Sequence, residues 1–490
     1  MSAESTEQNA IHAGVGYTVG NILVKGIAFL TIPVFSWLMT TAQYGVYNTY
    51  SAYLSIFAVI VSLGLPNSVR NIHYDLPECE NLYHSNSMVL IIAAMTVALA
   101  VLCAFSLTIS NLLALSVPFL TVIVLNGCFV AIQSYYFTML TVSYRYQRFL
   151  KLSVFYSVSS VSLSIVLICM KYGNNSAWGR ALGNLVPMIF IAIYVLAGIW
   201  KNKRPVIRKD LTIYGLKFGL PLIPNDLSSL VLAQFDRVMI FRIIGETEAG
   251  IYSFAYNIAV IYQVLTNSVE SAWTPWMFHQ LHHGNKEVVC SRITVYVLIL
   301  SGVTSVLILG SPELIMLMSR SAYWDSKTVV IPIIAAMYMY ALAMVPVGME
   351  FYCKKTGRIS LFTFCTAICN IFLNAIFIPK AGYIAAAYTT LASYFLYALF
   401  HMISGGRLVG IHILRMPSVL ISILFVSGIS AVSIILLEQP AFRWIVIVIF
   451  LLIIFFGLLR NKETTVSILK STFGSGKPSS DIFDTQEERN

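Results

Sequence analysis

The sequence predicts an all-α polytopic membrane protein of about fourteen transmembrane helices. Two parallel six-helix repeats form a V-shaped central cavity, and two further helices follow them. Three observations predict this class. First, the 490 residues are 58% hydrophobic and only 11% charged, against about 25% charged in a soluble domain, so the medium around this core is lipid. Second, apolar stretches of spanning length recur along the chain. Third, short glycine-aromatic motifs recur at nearly one offset. Gly45-Val46-Tyr47 and Gly250-Ile251-Tyr252 lie 205 residues apart, and Lys171-Tyr172-Gly173 and Lys380-Ala381-Gly382 lie 209 apart.

A helix needs roughly 20 apolar residues to cross the hydrocarbon. On that criterion spans fall near 14–38, 46–64, 87–109, 116–140, 153–170, 178–200, 213–232, 249–275, 293–310, 329–350, 360–379, 382–402, 418–437 and 443–460. Residues 1–12 are polar and lack the basic region of a secretory signal, so the first helix is expected to be retained. With both termini on one side, 21 Lys and Arg fall in the loops and tail of that side and 8 on the opposite face. Lys25 and Lys217 lie inside predicted spans. The positive-inside bias makes both termini cytoplasmic.

The net charge of +10 is thereby accounted for as an orientation signal, and no nucleic-acid partner is expected. The expected organisation is a cytoplasmic N-terminus (1–13), a first six-helix repeat (14–200) and a basic cytoplasmic linker (201–212). A second repeat (213–402), two extra transmembrane helices (418–460) and a disordered cytoplasmic tail (461–490) follow. Six spans per half is an even number, so the halves are parallel, related by an axis along the membrane normal.

Catalysis of a covalent step has no support. No loop has room for a soluble catalytic domain, and no phosphate-binding GxxxxGK[ST] motif is present. Cys365 and Cys369 share a helix face without a histidine or further cysteine, which reads as packing rather than a metal site. No disulfide framework, metal or cofactor is expected.

Ionisable groups at membrane depth face a cavity or a partner and mark function. Tyr17, Asn21 and Lys25 follow one another at helical spacing, with Lys25 about 16 Å into the first span. The stripe lines a water-filled cavity or makes an interhelical pair. In the seventh span Pro221 and Pro224 lead to Asn225 and Asp226 near its middle, where freed carbonyls need a cavity or a neighbour. The offset of 205 aligns Asp226 with Asn21. Asp226 then binds a coupling cation, pairs with Lys25, or fixes packing as a buried carboxylate.

Other polar groups near the spans are weaker candidates. Lys217 lies close enough to the cytoplasmic end to snorkel. Arg70 meets a phosphate or acts as a topology signal. Glu270, beside Trp273 and Trp276, titrates during transport or sits at the interface, and Glu350 reads as interfacial. Asn370 and Asn374 make interhelical amide bonds or contact a ligand.

The stretch Asn370-Ile371-Phe372-Leu373-Asn374, continuing through Ile378-Pro379-Lys380-Ala381-Gly382 to Ala385-Ala386-Ala387, Thr389-Thr390 and Ser393-Tyr394, resembles a signature of polysaccharide flippases. Ala385 stands where that family often has glycine. Ile32-Pro33-Val34 with Ala42-Gln43-Tyr44-Gly45-Val46-Tyr47 is similar to the family's N-terminal signature, and Asp236-Arg237 with Ala249-Gly250-Ile251-Tyr252 to the start of its second half.

The resemblance covers about residues 14–402. It implies a Wzx-type O-antigen or exopolysaccharide flippase of the multidrug/oligosaccharidyl-lipid/polysaccharide exporter superfamily, a carrier of the bacterial inner membrane. Its substrate would be undecaprenyl-pyrophosphate-linked oligosaccharide, with a proton or sodium ion as coupling ion and polysaccharide polymerase and chain-length regulator as partners. The last two helices would then handle the lipid tail, as in the related lipid II flippase. A pyrophosphate in a low-dielectric cavity needs cations. On this reading Lys25, Asn21 and Tyr17 contact substrate, Arg70 and Lys217 assist on the cytoplasmic side, and Asp226 and Glu270 carry the coupling ion. The rivals are a drug/cation antiporter of the same superfamily and a membrane polysaccharide polymerase or glycosyltransferase. The first would show a carboxylate-dominated cavity. The second needs a large outer loop or an early acidic residue, and residues 39–45 contain neither Asp nor Glu.

Overall fold

The computed structural model describes residues 3–170, 175–410 and 414–460, and every regular element among them is helical. The first half comprises α1 (Ala3–Leu38), α2 (Thr41–Val61), α3 (Leu65–Asp75), α4 (Glu80–Ala104), α5 (Ser106–Leu113), α6 (Val117–Val142), α7 (Tyr146–Met170) and α8 (Ser176–Asn202). The second comprises α9 (Lys209–Gly219), α10 (Ile223–Ile243), α11 (Glu246–His282), α12 (Lys286–Met318), α13 (Lys327–Tyr352) and α14 (Thr356–Val409), followed by α15 (Met416–Ile435). A separate compact unit begins at Leu436 and contains α16 (Pro440–Arg460). Within it the Arg443 guanidinium donates to the carbonyls of Leu436 and Leu437. The tail from 461 lies outside the described residues.

The predicted spans fall on helices, although the third crosses the break between α4 and α5 and the seventh crosses the 3-10 turn between α9 and α10. The eleventh and twelfth are the two limbs of α14, broken at Gly382, whose φ of 72° suits glycine and strains other residues. Among the described residues nine helices are long and apolar enough to cross a membrane, with shorter apolar stretches at Leu23–Leu38 and Pro440–Phe450. Neither α10 nor α11 is among the nine. Both carry interior polar groups (Asp226, Asp236 and Arg237 on α10, Glu270 on α11), which lower their hydropathy. In lipid such groups turn toward protein.

The duplication has a geometric counterpart. Helices α2 and α11 start at Thr41 and Glu246, at the same offset as their glycine motifs. They cross with backbones in contact. A methyl group on Gly45 would sit 2.0 Å from the Glu246 carbonyl oxygen, and one on Gly250 would sit 1.9 Å from that of Thr41. Each residue touches the equivalent of its partner's neighbour, the reciprocity of a local two-fold axis. Since both helix N-termini meet at one end, the halves are parallel. Small residues allow such approach in membranes, where packing rather than water exclusion drives association.

A second repeated element joins α6 to α7 and α13 to α14. Tyr144 and Lys354 take the left-handed conformation with φ of 53° and 56°. The same backbone bonds close both turns: Arg145 N to Leu140 O and Lys355 N to Glu350 O, both at 2.9 Å. Arg145 and Arg148 in the first turn correspond to Lys355 and Arg358 in the second.

Several expectations are corrected. The predicted seventh span, 213–232, is not one unbroken α-helix. Helix α9 ends at Gly219, a 3-10 turn spans Leu220–Leu222, and α10 starts with Pro224 in its first turn. Prolines that read as a mid-span kink therefore separate two helices, because a proline lacking its N–H fits a helix start at no loss. Helix α9 packs on the first half instead, with Leu211 in the same apolar cluster as Ile72, Tyr83 and Tyr135. The linker before it is tied down: Ser85 Oγ donates to Arg204 O and Arg208 N to Asn86 Oδ1, both at 2.8 Å.

Arg237, one of the eight cations that the sequence reading assigns to the opposite face, is buried within α10. Glu350, read as interfacial, is fully buried and pairs with His401 Nδ1 at 2.8 Å. Removing one partner of a buried pair strands the other. His401→Leu is expected to destabilise the protein by about 3–5 kcal/mol, and the double variant Glu350→Met/His401→Phe to recover most of that. Thermal denaturation of the detergent-solubilised protein reads both. Equal melting of the single variant and the parent would contradict the pairing.

Candidate functional site

The two halves meet at a buried seal at the end of the bundle opposite the basic loops. Ser36 Oγ of α1 donates to Met318 O at 2.7 Å, and Tyr323 Oη donates to Met39 O at 3.0 Å. The Tyr44 ring lies edge-on to Tyr323 and Phe254, with centroids at 5.6 and 6.2 Å. Asn257 Nδ2 donates to Tyr44 Oη at 2.8 Å. Aromatic pairs of this geometry contribute about 0.5–1.5 kcal/mol each, so the seal is firm yet separable. Beside it the Arg180 guanidinium lies 3.8 Å over the Phe35 ring and 4.0 Å over that of Tyr47. At the basic end the halves also touch, but in the open. The Gly64 backbone approaches Gly219, and Asn67 Nδ2 donates to Asp226 Oδ2 at 3.3 Å, exposed.

The predicted residues distribute around this frame. Lys25 is exposed on α1. The side chains of Tyr17 and Asn21 lie outside the described residues, so the proposed stripe rests on helical spacing. Arg70 is exposed on α3, an amphipathic helix that buries Leu65, Ser68, Val69 and Ile72 where sequence suggested only a loop. Lys217 is exposed in the last turn of α9. Asp226 stands in the first turn of α10 at the basic end, not near mid-span. Its partners are Asn67 and Asn225, and among the described residues no ion pair joins it to Lys25. Glu270 is half-buried on α11, within electrostatic reach of Tyr296 and Tyr340.

A site that residue spacing did not reveal lies in the second half. Asp236 is 1% exposed, about 20 Å along α10. Its carboxylate accepts from Asn374 Nδ2 at 2.6 Å, Thr390 Oγ1 at 2.5 Å and Tyr252 Oη at 2.7 Å. These donors come from both limbs of α14 and from α11, so the break at Gly382 brings Asn374 and Thr390 to one carboxylate.

A second layer orients the first. Asn374 Nδ2 also donates to Asn370 Oδ1 at 3.1 Å, Thr389 Oγ1 donates to Asn374 Oδ1, and Asn370 Nδ2 reaches Ser393 Oγ at 3.3 Å. The neighbouring Arg237 is spent on the Tyr256 ring, 4.5 Å away. Three neutral donors converge on the carboxylate, with Arg237 as the adjacent cation. A buried carboxylate held in this way can take up a proton or a small cation. Asn370, Asn374, Thr389, Thr390 and Ser393 all stood in the flippase-like stretch. Their convergence on Asp236 was invisible because the break geometry sets it.

The sequence profile of the polysaccharide biosynthesis protein family matches residues 13–281. The chain is 23% identical over 394 residues to an uncharacterised membrane protein of Haemophilus influenzae, covering 76% of this chain and 92% of that one. It is also 23% identical over 320 residues to Lsg locus putative protein 1 of the same organism, covering 61% and 72%. Among solved structures it is similar to the lipid II flippase MurJ in an inward closed conformation, with a TM-score of 0.65 and 13% identity over 88% of this chain and 99% of that one. An inward-facing multidrug resistance MATE family transporter gives a TM-score of 0.60 and 13% identity, covering 84% and 99%. At these identities the likeness shows the fold.

Proposed function

The chain belongs to the polysaccharide biosynthesis protein family, and we propose that it is a flippase for undecaprenyl-pyrophosphate-linked oligosaccharide repeat units of O-antigen or exopolysaccharide. It would work in the bacterial inner membrane, with both termini cytoplasmic, by alternating access between its two halves. The single observation that carries the reading is the reciprocal Gly45–Gly250 crossing beside an aromatic seal. It provides a pivot on the two-fold axis and a gate that parts when the halves rock. Similarity to a lipid II flippase and to multidrug transporters supports the same mode of motion.

Within this reading Lys25 is the cation offered to the diphosphate, Tyr17 and Asn21 extend that face, and Arg70 and Lys217 assist on the cytoplasmic side. Asp236 joins Asp226 and Glu270 as a carrier of the coupling proton or sodium ion. It supports that role best, being the most buried of the three and already surrounded by oriented polar groups. Lys25→Ala is expected to abolish surface polysaccharide in cells that depend on this protein, at unchanged protein level. Immunoblotting for the protein and gel analysis of the polysaccharide read the two quantities. Full-length polysaccharide in that variant would remove Lys25 from the substrate path. Drug-resistance assays on the same cells address the antiporter alternative, which predicts raised tolerance to cationic drugs.

A further inference from the structure

A cleft of about 490 Å³ opens in the first half between the ends of α4, α6 and α8, away from the interface of the halves. Arg145 of the α6–α7 turn, Arg148 in the first turn of α7 and Lys201 at the end of α8 line it, with Tyr136 and His84 deeper and Glu80 at its side. All three cations are exposed. Arg208 nearby in sequence space is a useful contrast, for it is held by Asp210, with Nε 3.0 Å from Oδ1. Among the described residues none of Arg145, Arg148 and Lys201 has a carboxylate partner. The one acid in the cleft, Glu80, is already engaged by His73 Nδ1 at 3.0 Å and His84 Nε2 at 3.4 Å. His84 Nδ1 in turn meets Tyr135 Oη at 2.9 Å, which fixes the ring.

From this arrangement we infer that the cleft is a binding site for a phosphate-bearing anion, filled by the headgroup of an anionic lipid of the leaflet that faces the basic loops. Two guanidiniums on one turn suit paired phosphate oxygens, and Lys201 adds a third charge from the facing helix. The repeat supplies an internal reference. The equivalent α13–α14 turn carries Lys354, Lys355 and Arg358 on the same backbone frame, but beneath it lies the Glu350–His401 pair. A plain surface charge effect would treat the two turns alike, whereas a built site distinguishes them. The inference concerns lipid association and stands apart from what the central path carries.

The test is native mass spectrometry of the full chain in detergent, titrated with phosphatidylglycerol or phosphatidylcholine. Three proteins are compared: the parent, Arg145→Ala/Arg148→Ala/Lys201→Ala, and Lys354→Ala/Lys355→Ala/Arg358→Ala. The first triple variant is expected to bind phosphatidylglycerol about a hundredfold more weakly at its tightest site, from about fivefold per cation. The second triple variant is expected to match the parent, and phosphatidylcholine to bind all three equally. Equal losses in both triple variants, or none in the first, would overturn the site. Inorganic phosphate competing at millimolar concentration separates the two sources of the anion. Failure to displace the lipid supports a headgroup site, and complete displacement overturns the lipid assignment in favour of free phosphate. The substituted side chains are exposed, and gel filtration of each variant verifies the fold.

Discussion

Gly45→Leu is expected to abolish transport while the protein still reaches the membrane. The new side chain must occupy space now filled by the Glu246 carbonyl and the Gly250 backbone, at 2.0 and 2.7 Å from the first added carbon. Backbone cannot rotate away as a side chain can. Overpacking of this kind costs about 1–3 kcal/mol, occasionally more. Here that cost falls on the closed seal rather than on either half, because each half keeps its own core. The predicted variant is therefore a bundle held apart at the end that normally closes. Cysteine pairs placed across the seal at Ser36 and Met318 report it directly: cross-linking in the parent, lost in Gly45→Leu. Gly250→Leu is expected to behave alike, since the contact is reciprocal. Normal transport by either variant would refute the pivot.

The second large effect concerns Asp236. Asp236→Asn preserves size and one accepting oxygen but removes the charge, and it is expected to lower translocation about ten- to hundredfold, the scale of losing hydrogen bonds to a charged group. Asp236→Leu is expected to fail more broadly. It leaves Asn374, Thr390 and Tyr252 without their acceptor, at about 1–3 kcal/mol for each stranded donor. The comparison separates roles. A coupling carboxylate loses gradient-driven transport in Asp236→Asn while melting temperature holds. A purely structural one loses little of either in Asp236→Asn and much of both in Asp236→Leu.

Much of the architecture was legible because lipid imposes a simple rule on sequence. Every spanning segment must be apolar and long, so most of the long helices could be read one by one, and α14 required only that Gly382 be recognised as a break. The duplication was legible from Gly45 and Gly250, whose spacing encodes a contact that any larger residue would forbid. The seventh span was not, since Leu220-Pro221-Leu222 looks as apolar as a helix interior. Only the packing of α9 on the first half shows that two helices meet there. That displacement moved Asp226 from an expected mid-membrane position to a helix start.

The Asp236 site was hidden for a different reason. Its donors lie 138 and 154 residues away in Asn374 and Thr390, on limbs whose approach depends on the angle at Gly382. Local spacing carries no record of such an angle. The polar residues were visible, and so was the costliness of Asp236-Arg237 within an apolar chain, had the helix been read through to Ile243. Similarly, the Glu350–His401 pair needed two helices 51 residues apart to be seen as neighbours. Residues whose surroundings depend on a distant partner could not be placed from local spacing.

The central claim is that the two halves rock about the Gly45–Gly250 crossing to carry a lipid-linked oligosaccharide across the bilayer. Its most direct measurement is translocation of fluorescently labelled undecaprenyl-pyrophosphate oligosaccharide in proteoliposomes of the purified chain, with and without an imposed proton or sodium gradient. The account predicts protein-dependent movement of the label between leaflets, accelerated by one of the gradients and abolished by Gly45→Leu. Label movement no faster than in protein-free vesicles, with or without a gradient, would contradict it.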